Sequence, residues 1–230
     1  MAMTKRVLMV LTSHDVMGLS GKKTGSWFDE VATPYYTFKE RGFEVVLASP
    51  RGGAAPIDPA SAAKPFTTPA TERFESDPVA QRALANTLAL SDVDHRGFDG
   101  AFFPGGYGPL WDLANNSLAI RIIEDMVAAD KPAAFVCHAP AALRDARQPN
   151  GDPLVKGRKV TGFTDVEDEE LELTPHLLFS VEKMLKANGG LYTRSQKNWQ
   201  AYVVEDGALI TGQNPASAAT VASVFAGRLN

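Results

Sequence analysis

Cysteine is almost absent from this chain: Cys137 is the one such residue in 230. That excludes an intrachain disulfide framework and a cysteine-based zinc cluster, fits a reducing compartment, and makes the cytoplasm the expected location. Histidine is scarce as well. His14, His95, His138 and His176 are scattered, with no i,i+4 pair, so the sequence offers no clear set of metal ligands. No apolar run approaches the roughly 20 residues that span a bilayer. The N-terminal stretch MAMTKRVLMVLTSHD is too short in its apolar part, and lacks the cleavage-like region, to read as a secretion signal. There is no Lys/Arg-rich tract, and the formal net charge is -4, which argues against nucleic acid as a partner. Neither an internal repeat nor a low-complexity tract interrupts the chain.

What is present is a well-mixed chain, 44% hydrophobic and 22% charged, long enough for one large α/β domain over residues 1–230. RVLMVLT, from Arg6 to Thr12, reads as a buried strand. A helix from Phe28 to Arg41, stopped by Gly42, leads to a strand from Phe43 to Ser49. Pro34 is tolerable only in a first helical turn, which puts Glu30 near the helix start. Residues 51–77, rich in Pro, Ala and Thr, read as a long surface excursion. A helix is expected from Pro78 to Leu90, a strand from Gly100 to Phe103, and helices around Leu110–Leu113 and Leu118–Ala129. Then come a strand ending at Cys137, another from Arg158 to Phe163, and a helix from Ser180 to Ala187. AYVVEDGALITG reads as a hairpin around its Asp-Gly turn, followed by a helix over Asn214–Leu229. The pattern predicts a doubly wound, mainly parallel sheet of about five or six parallel strands sandwiched by helices, flavodoxin-like, with the hairpin as a small addition.

Chemistry concentrates at KPAAFVCHAPAALR. A buried strand there stops on Cys137 and His138 before an Ala-rich helical pattern, a strand-turn-helix elbow that projects the thiol toward a helix N-terminus. A lone cysteine at a strand end is ordinarily an inert filler. The elbow and the adjacent His138 instead point to a nucleophile with a thiol pKa below the usual value of about 8.5. Glu30 follows the first strand, on the sheet edge where ligands bind in such folds, although an acid near a helix start is ordinarily a solvated surface residue. Gly105 and Gly106, in PGGYGP, form either an anion-binding nest or simply a tight turn. One carboxylate of the acidic run Asp165–Glu172 is available to orient His138.

AAFVCHAPAAL resembles the strand-elbow-helix of the ThiJ/PfpI superfamily, which is class I glutamine-amidotransferase-like. GSWFDEVATPYYTFKERGFEVVLASPRGG, FDGAFFPGGYGPLWDL, KVTGFTDVEDEE and DGALITGQNPASA resemble its branch of small heat-shock-type proteins that includes glyoxalase III. The resemblance implies a nucleophile at Cys137, a partner at His138, an acid at Asp168 with Glu167 and Glu169 as neighbouring alternatives, a sulfur-contacting acid at Glu30, and an oxyanion site at Gly105 and Gly106. Ala139 departs from the glycine usual in relatives, which would matter if that position needed a positive φ. The implied activity is a cofactor-independent conversion of a small 2-oxoaldehyde such as methylglyoxal to a 2-hydroxy acid through a Cys137 hemithioacetal. His138 or Glu30 would move the proton between carbons, with Glu30 protonated at neutral pH beside the Cys137 thiolate and serving as a second acid/base group on the opposite side of the bound substrate. Rival expectations are a holdase-type chaperone for unfolded clients, a cysteine hydrolase or deglycase, and a redox sensor. A homodimer is the expected assembly.

Overall fold

The computed structural model describes residues 4–229; residues 1–3, the start of the N-terminal stretch considered above, and residue 230 lie outside it. β1 (Arg6–Val10) is buried along almost its whole length and pairs in parallel with β2 (Glu44–Ser49) on one side. Between them runs α1 (Phe28–Glu40), closed by the turn at Gly42, whose φ of +78° suits glycine. Pro34 lies in the second turn of α1, not the first. Its missing N–H therefore removes the bond that the Glu30 carbonyl would otherwise accept.

The supposed excursion after β2 contains a helix, α2 (Pro69–Ser76), nucleated by a reciprocal cap in which Thr68 and Thr71 bond each other's backbone N–H. The signal is weak in sequence because threonine, not Glu or Gln, occupies the third position of the box. α3 (Pro78–Ala85), capped by Asp77, ends earlier than its apolar pattern suggested, because β3 (Leu88–Ala89) is drawn out to pair with β2. β4 (Gly100–Phe103), α4 (Pro109–Asp112), α5 (Ser117–Ala128) and β5 (Ala133–Val136) follow, with β4 between β1 and β5.

Beyond β5 the observed path departs from the expected one. Only β6 (Lys159–Val160) is strand in the segment expected to be a full strand, and it pairs with β7 (Leu191–Tyr192) in a separate two-stranded sheet, outside the main one. The hairpin takes its place: β9 (Leu209–Gly212) lies parallel against β5, and β8 (Val203–Asp206) folds back antiparallel as the edge. The main sheet thus runs β3-β2-β1-β4-β5-β9-β8, with six parallel strands and an antiparallel edge. α6 (Asp165–Glu170), α7 (Val181–Ala187) and α8 (Ala218–Arg228) complete the set, α8 being preceded by a 3-10 turn at Pro215–Ser217. No described helix is long and apolar enough to cross a membrane.

Alternating side chains feed the two faces of the sheet. Leu8, Val10, Phe103 and Phe135 enter one core, packed with α5 and α7; Val7, Met9, Phe102 and Val136 enter the other, packed with α1 and α8. Phe38 is the hub of the second core, its ring 5.5 Å from Phe102 and 5.1 Å from Phe225. Gly100 has no room for a side chain there, since a Cβ would lie 2.7 Å from the Phe225 ring. Truncating Phe38 to alanine should cost about 3–5 kcal/mol in urea unfolding, because the ring volume cannot be refilled by a sheet so tightly packed, with Phe38→Leu costing distinctly less. Equal losses for the two variants would show that the ring's shape, not its volume, is what the core requires.

Candidate active site

β4 and β5 end side by side, and their C-terminal turns build the site. The last β5 residue leads directly into Cys137, which holds φ at +62°, a left-handed conformation costing an L-residue about 1–3 kcal/mol. Two backbone bonds fix it: its N–H donates to Gly212 O at 3.0 Å, and its own carbonyl accepts from Phe163 N–H at 3.0 Å. Ala139 does not share this conformation; it opens a short 3-10 turn, Ala139–Leu143, that is shaped by Pro140. The extended α-helix expected after the elbow is therefore replaced by five residues of 3-10 turn, and the macrodipole invoked for the thiol is correspondingly small.

Cys137 is buried, and His138 Nδ1 lies 3.3 Å from its Sγ. The other imidazole nitrogen, Nε2, is 3.0 Å from Asp168 Oδ1, and both side chains are almost wholly enclosed. Tyr107 and Phe163 hold the ring, with centroid separations of 4.3 and 4.2 Å. The three acids weighed for His138 are separated by the geometry of α6, where successive residues point about 100° apart. Asp168 faces the imidazole. Glu167 turns the other way and accepts from Thr164, Trp199 N–H, Gln213 and Asn214. Glu169 is exposed.

Glu30 is the third residue of α1 and is fully buried. Its Oε2 accepts from the Gly105 N–H at 2.7 Å, while Oε1 has no nitrogen or oxygen partner among the described residues and the carboxyl lies beside the Cys137 thiol. That approach is possible because position 105 carries no side chain: a Cβ would lie 2.7 Å from both Glu30 Oε2 and Cys137 Cβ. Gly106 adopts φ +90°, and its N–H is directed at the sulfur. Two expectations are corrected here. Glu30 lies beside the thiol as expected but is not among the residues that line the cavity, so it does not face a bound substrate from the opposite side, and the Gly105 amide expected to receive an oxyanion is already committed to Glu30.

Desolvation pushes the Glu30 carboxyl up to about 8, the amide of Gly105 offsetting only part of it, so the group is mostly protonated at neutral pH. Burial and the charge of Glu30 push the Cys137 thiol up as well, against the Gly106 and His138 amides that favour thiolate. The lowered thiol pKa expected from the elbow is thus not what the site provides. Its resting form is a neutral thiol beside a neutral carboxyl, with an imidazole positioned to take the proton.

The cavity in front of the sulfur encloses about 660 Å³. Gly106, Tyr107, Cys137, His138 and Phe163 form its floor, and Trp27, Phe66, Leu171 and Trp199 contribute its apolar walls. The sequence reading missed Trp199. Its φ is +62°, its N–H donates to Glu167 and its indole N–H to Glu170 Oε2 at 2.5 Å, so α6 positions both the histidine's carboxylate and one wall. Among the described residues, no cluster of three or more His, Cys, Asp or Glu side chains is placed to hold a metal.

The raised Glu30 pKa fixes a sign for stability. From the ordinary 4.5 up to about 8, the folded chain keeps a proton that the unfolded chain releases, so stability is lost as pH rises across that window. Glu30→Gln removes this slope: the variant should gain on the native chain steadily from pH 4.5 to 8, then level off. Urea midpoints of the two proteins that move in parallel over this range would mean that Glu30 ionises normally.

The DJ-1/PfpI family pattern matches residues 22–226. Glyoxalase 3 of Candida albicans is 31% identical over 224 residues, covering 94% of this chain and 95% of that protein. The glutathione-independent glyoxalase HSP31 of Saccharomyces cerevisiae is 34% identical over 228 residues, with 95% of each covered. Among solved structures, the 24 kDa rapid encystment protein of Francisella tularensis superposes with a TM-score of 0.94 at 36% identity, over 99% of this chain and 100% of that one. The crystal structure of Candida albicans glyoxalase III does so with a TM-score of 0.91 at 30% identity, over 98% of each. With the family pattern spanning nearly the whole chain and relatives matching it end to end, the protein belongs to the DJ-1/PfpI family.

Proposed function

We propose that this protein is a glutathione-independent glyoxalase, which converts methylglyoxal or a similar 2-oxoaldehyde to a 2-hydroxy acid with Cys137 in the place of an external thiol. The observation that carries the reading is the line Cys137 Sγ, His138 Nδ1, His138 Nε2, Asp168 Oδ1, with links of 3.3 and 3.0 Å, at the floor of a cavity walled by apolar side chains. Relatives named as glyoxalases that match more than nine-tenths of the chain support it.

The chemistry follows from these positions. The thiol adds to the aldehyde carbon, its proton passing to His138 and on to the new hydroxyl, and Asp168 stabilises the transient imidazolium. Once sulfur is substituted, Nδ1 has lost the S–H beside it and lies next to the hemithioacetal carbon, one bond from Sγ. It removes the C–H proton and returns it to the neighbouring carbon while the hydroxyl proton passes to the other oxygen, which leaves a thioester. Water cleaves the thioester and gives a proton to His138; the departing thiolate takes a proton from Glu30, whose carboxyl titrates at about 8, and the imidazolium proton restores Glu30. The net change is the addition of one water to the 2-oxoaldehyde.

The holdase reading is less well supported, because the exposed apolar side chains that come together, Phe66, Leu171 and Trp199, already line the candidate cavity, while Val79, Leu88 and Leu118 lie on α3, β3 and α5. Lactate formation from methylglyoxal, without added thiol, is the direct test. The native protein should turn over and Cys137→Ala should not; an inactive native protein, or an equally active Cys137→Ala, ends the proposal. Asp168→Asn should lower kcat by on the order of 10²-fold or more with the thermal midpoint little changed, because it deprives the imidazolium of its counter-charge. Glu30→Gln should keep an alkylatable Cys137 while slowing turnover.

A further inference from the structure

Moving a proton between the two substrate carbons requires one more group than the residues assigned so far provide. As the C–H bond of the hemithioacetal breaks, its electron pair forms the C=C bond of an enediolate, and the π pair of the neighbouring ketone moves onto oxygen. That oxygen needs a donor about 2.7–3.1 Å away. The donors around the sulfur are already engaged. Gly105 N–H is held by Glu30 at 2.7 Å, Gly106 N–H faces Sγ, and both nitrogens of His138 have partners. On the walls, Thr68 donates to Asp29 at 2.6 Å, Asn214 to Glu167 at 2.8 Å, and the Trp199 indole to Glu170, while the Trp27 indole and the Thr67 hydroxyl also line the cavity but belong to residues that do not pack on the His138 ring.

The Tyr107 hydroxyl is different. Tyr107 lines the floor and is almost completely buried, and the one hydrogen bond of its hydroxyl among the described residues is a long one, 3.4 Å to Asp168 Oδ1, an oxygen already shared with His138. An O–H donor bonds best at 2.5–3.0 Å, so this phenol is under-used where it rests. It is also beside the reacting atoms: its ring lies 4.3 Å from the His138 ring, and Tyr107 and Cys137 line the same cavity. We infer that Tyr107 is a further catalytic residue, whose hydroxyl turns from Asp168 to donate to the ketone oxygen of the bound hemithioacetal and to the enediolate that forms from it. No proton leaves the phenol. Burial and the nearby carboxylate raise its pKa, so it stays a donor throughout the working range. Gly106, with φ +90° and no space for a Cβ because Gly25 O would be 2.3 Å away, is what brings the next residue's ring over the floor.

This inference rests on the glyoxalase reading, and Tyr107→Phe tests it. The variant keeps the ring against His138 and loses only the hydroxyl. With methylglyoxal its kcat should fall by about 10²–10³-fold, the loss typical of one oxyanion donor. The hemithioacetal adduct on Cys137, seen by intact mass, and the pH profile of Cys137 alkylation should match the native protein. Tyr36→Phe, which removes a hydroxyl bonded to Asp77 and away from the cavity, should leave kcat within a few-fold. Tyr107→Phe with kcat within about threefold of native would overturn the role. So would a loss of turnover matched by slower alkylation or a displaced pH profile, since the phenol would then act through His138. A native protein that forms the adduct yet releases no lactate would instead remove the glyoxalase reading, and this inference with it.

Discussion

A left-handed cysteine at the end of a buried strand is a costly conformation, and the site depends on what maintains it. The N–H of Cys137 is tied to Gly212 and its carbonyl to Phe163. The first partner belongs to β9 and the second to the segment leading to α6, so the placement of the hairpin inside the main sheet has a chemical consequence. Had β9 been a peripheral addition, nothing would hold the Cys137 N–H. Had the segment after β6 continued as a strand of the main sheet, Phe163 would not reach the Cys137 carbonyl. The elbow is over-determined by two chain segments distant in sequence, and this is the condition under which backbone strain persists in a folded protein.

The same crowding governs charge. With Glu30 fully enclosed and Cys137 nearly so, neither group can ionise cheaply, and a charged Glu30 opposes ionisation of the thiol. Such a site does not store a ready thiolate. It generates one only as a substrate presents a carbonyl, with the proton accepted by an imidazole whose far nitrogen already has a carboxylate. A permanently ionised thiol would be more exposed to adventitious oxidation and alkylation. A neutral pair that exchanges a proton on demand couples reactivity to the presence of an acceptor.

Much of this was legible in the sequence, for identifiable reasons. The parallel core was plain because β1, β4 and β5 are short, continuous apolar runs, which a doubly wound sheet requires. Cys137, His138 and the glycine pair stand out because each lies just beyond a strand on the ligand-binding edge, and Glu30 because it opens the helix that follows the first strand's loop. What escaped notice depended on tertiary competition. The strand expected at Arg158–Phe163 and the hairpin strand Leu209–Gly212 are both apolar and of strand length, and nothing local says which one β5 will accept. The pKa of Cys137 was misjudged because sequence shows a turn before a helical pattern, whereas burial and the proximity of Glu30 exist only after folding. Trp199 gave no signal, since a single tryptophan in a polar loop acquires its position from carboxylates elsewhere in the chain.

Those carboxylates explain why the acidic run could not be apportioned by composition. Glu167, Asp168, Glu169 and Glu170 are consecutive, yet the helical rotation sends them to a buried hub, the imidazole, solvent and the Trp199 indole respectively. The Glu167 hub is anchored by neutral donors alone: the Thr164 cap, the side chains of Gln213 and Asn214, and the Trp199 amide. A buried carboxylate satisfied in this way makes α6 a rigid unit, since any rotation that freed Asp168 from His138 would strip several hydrogen bonds from Glu167. Catalytic orientation and cavity shape are therefore one mechanical property. A helix of six residues would be too short to be stable alone, but here it is fixed from both sides, carrying the acid on one face and holding the cavity wall with another.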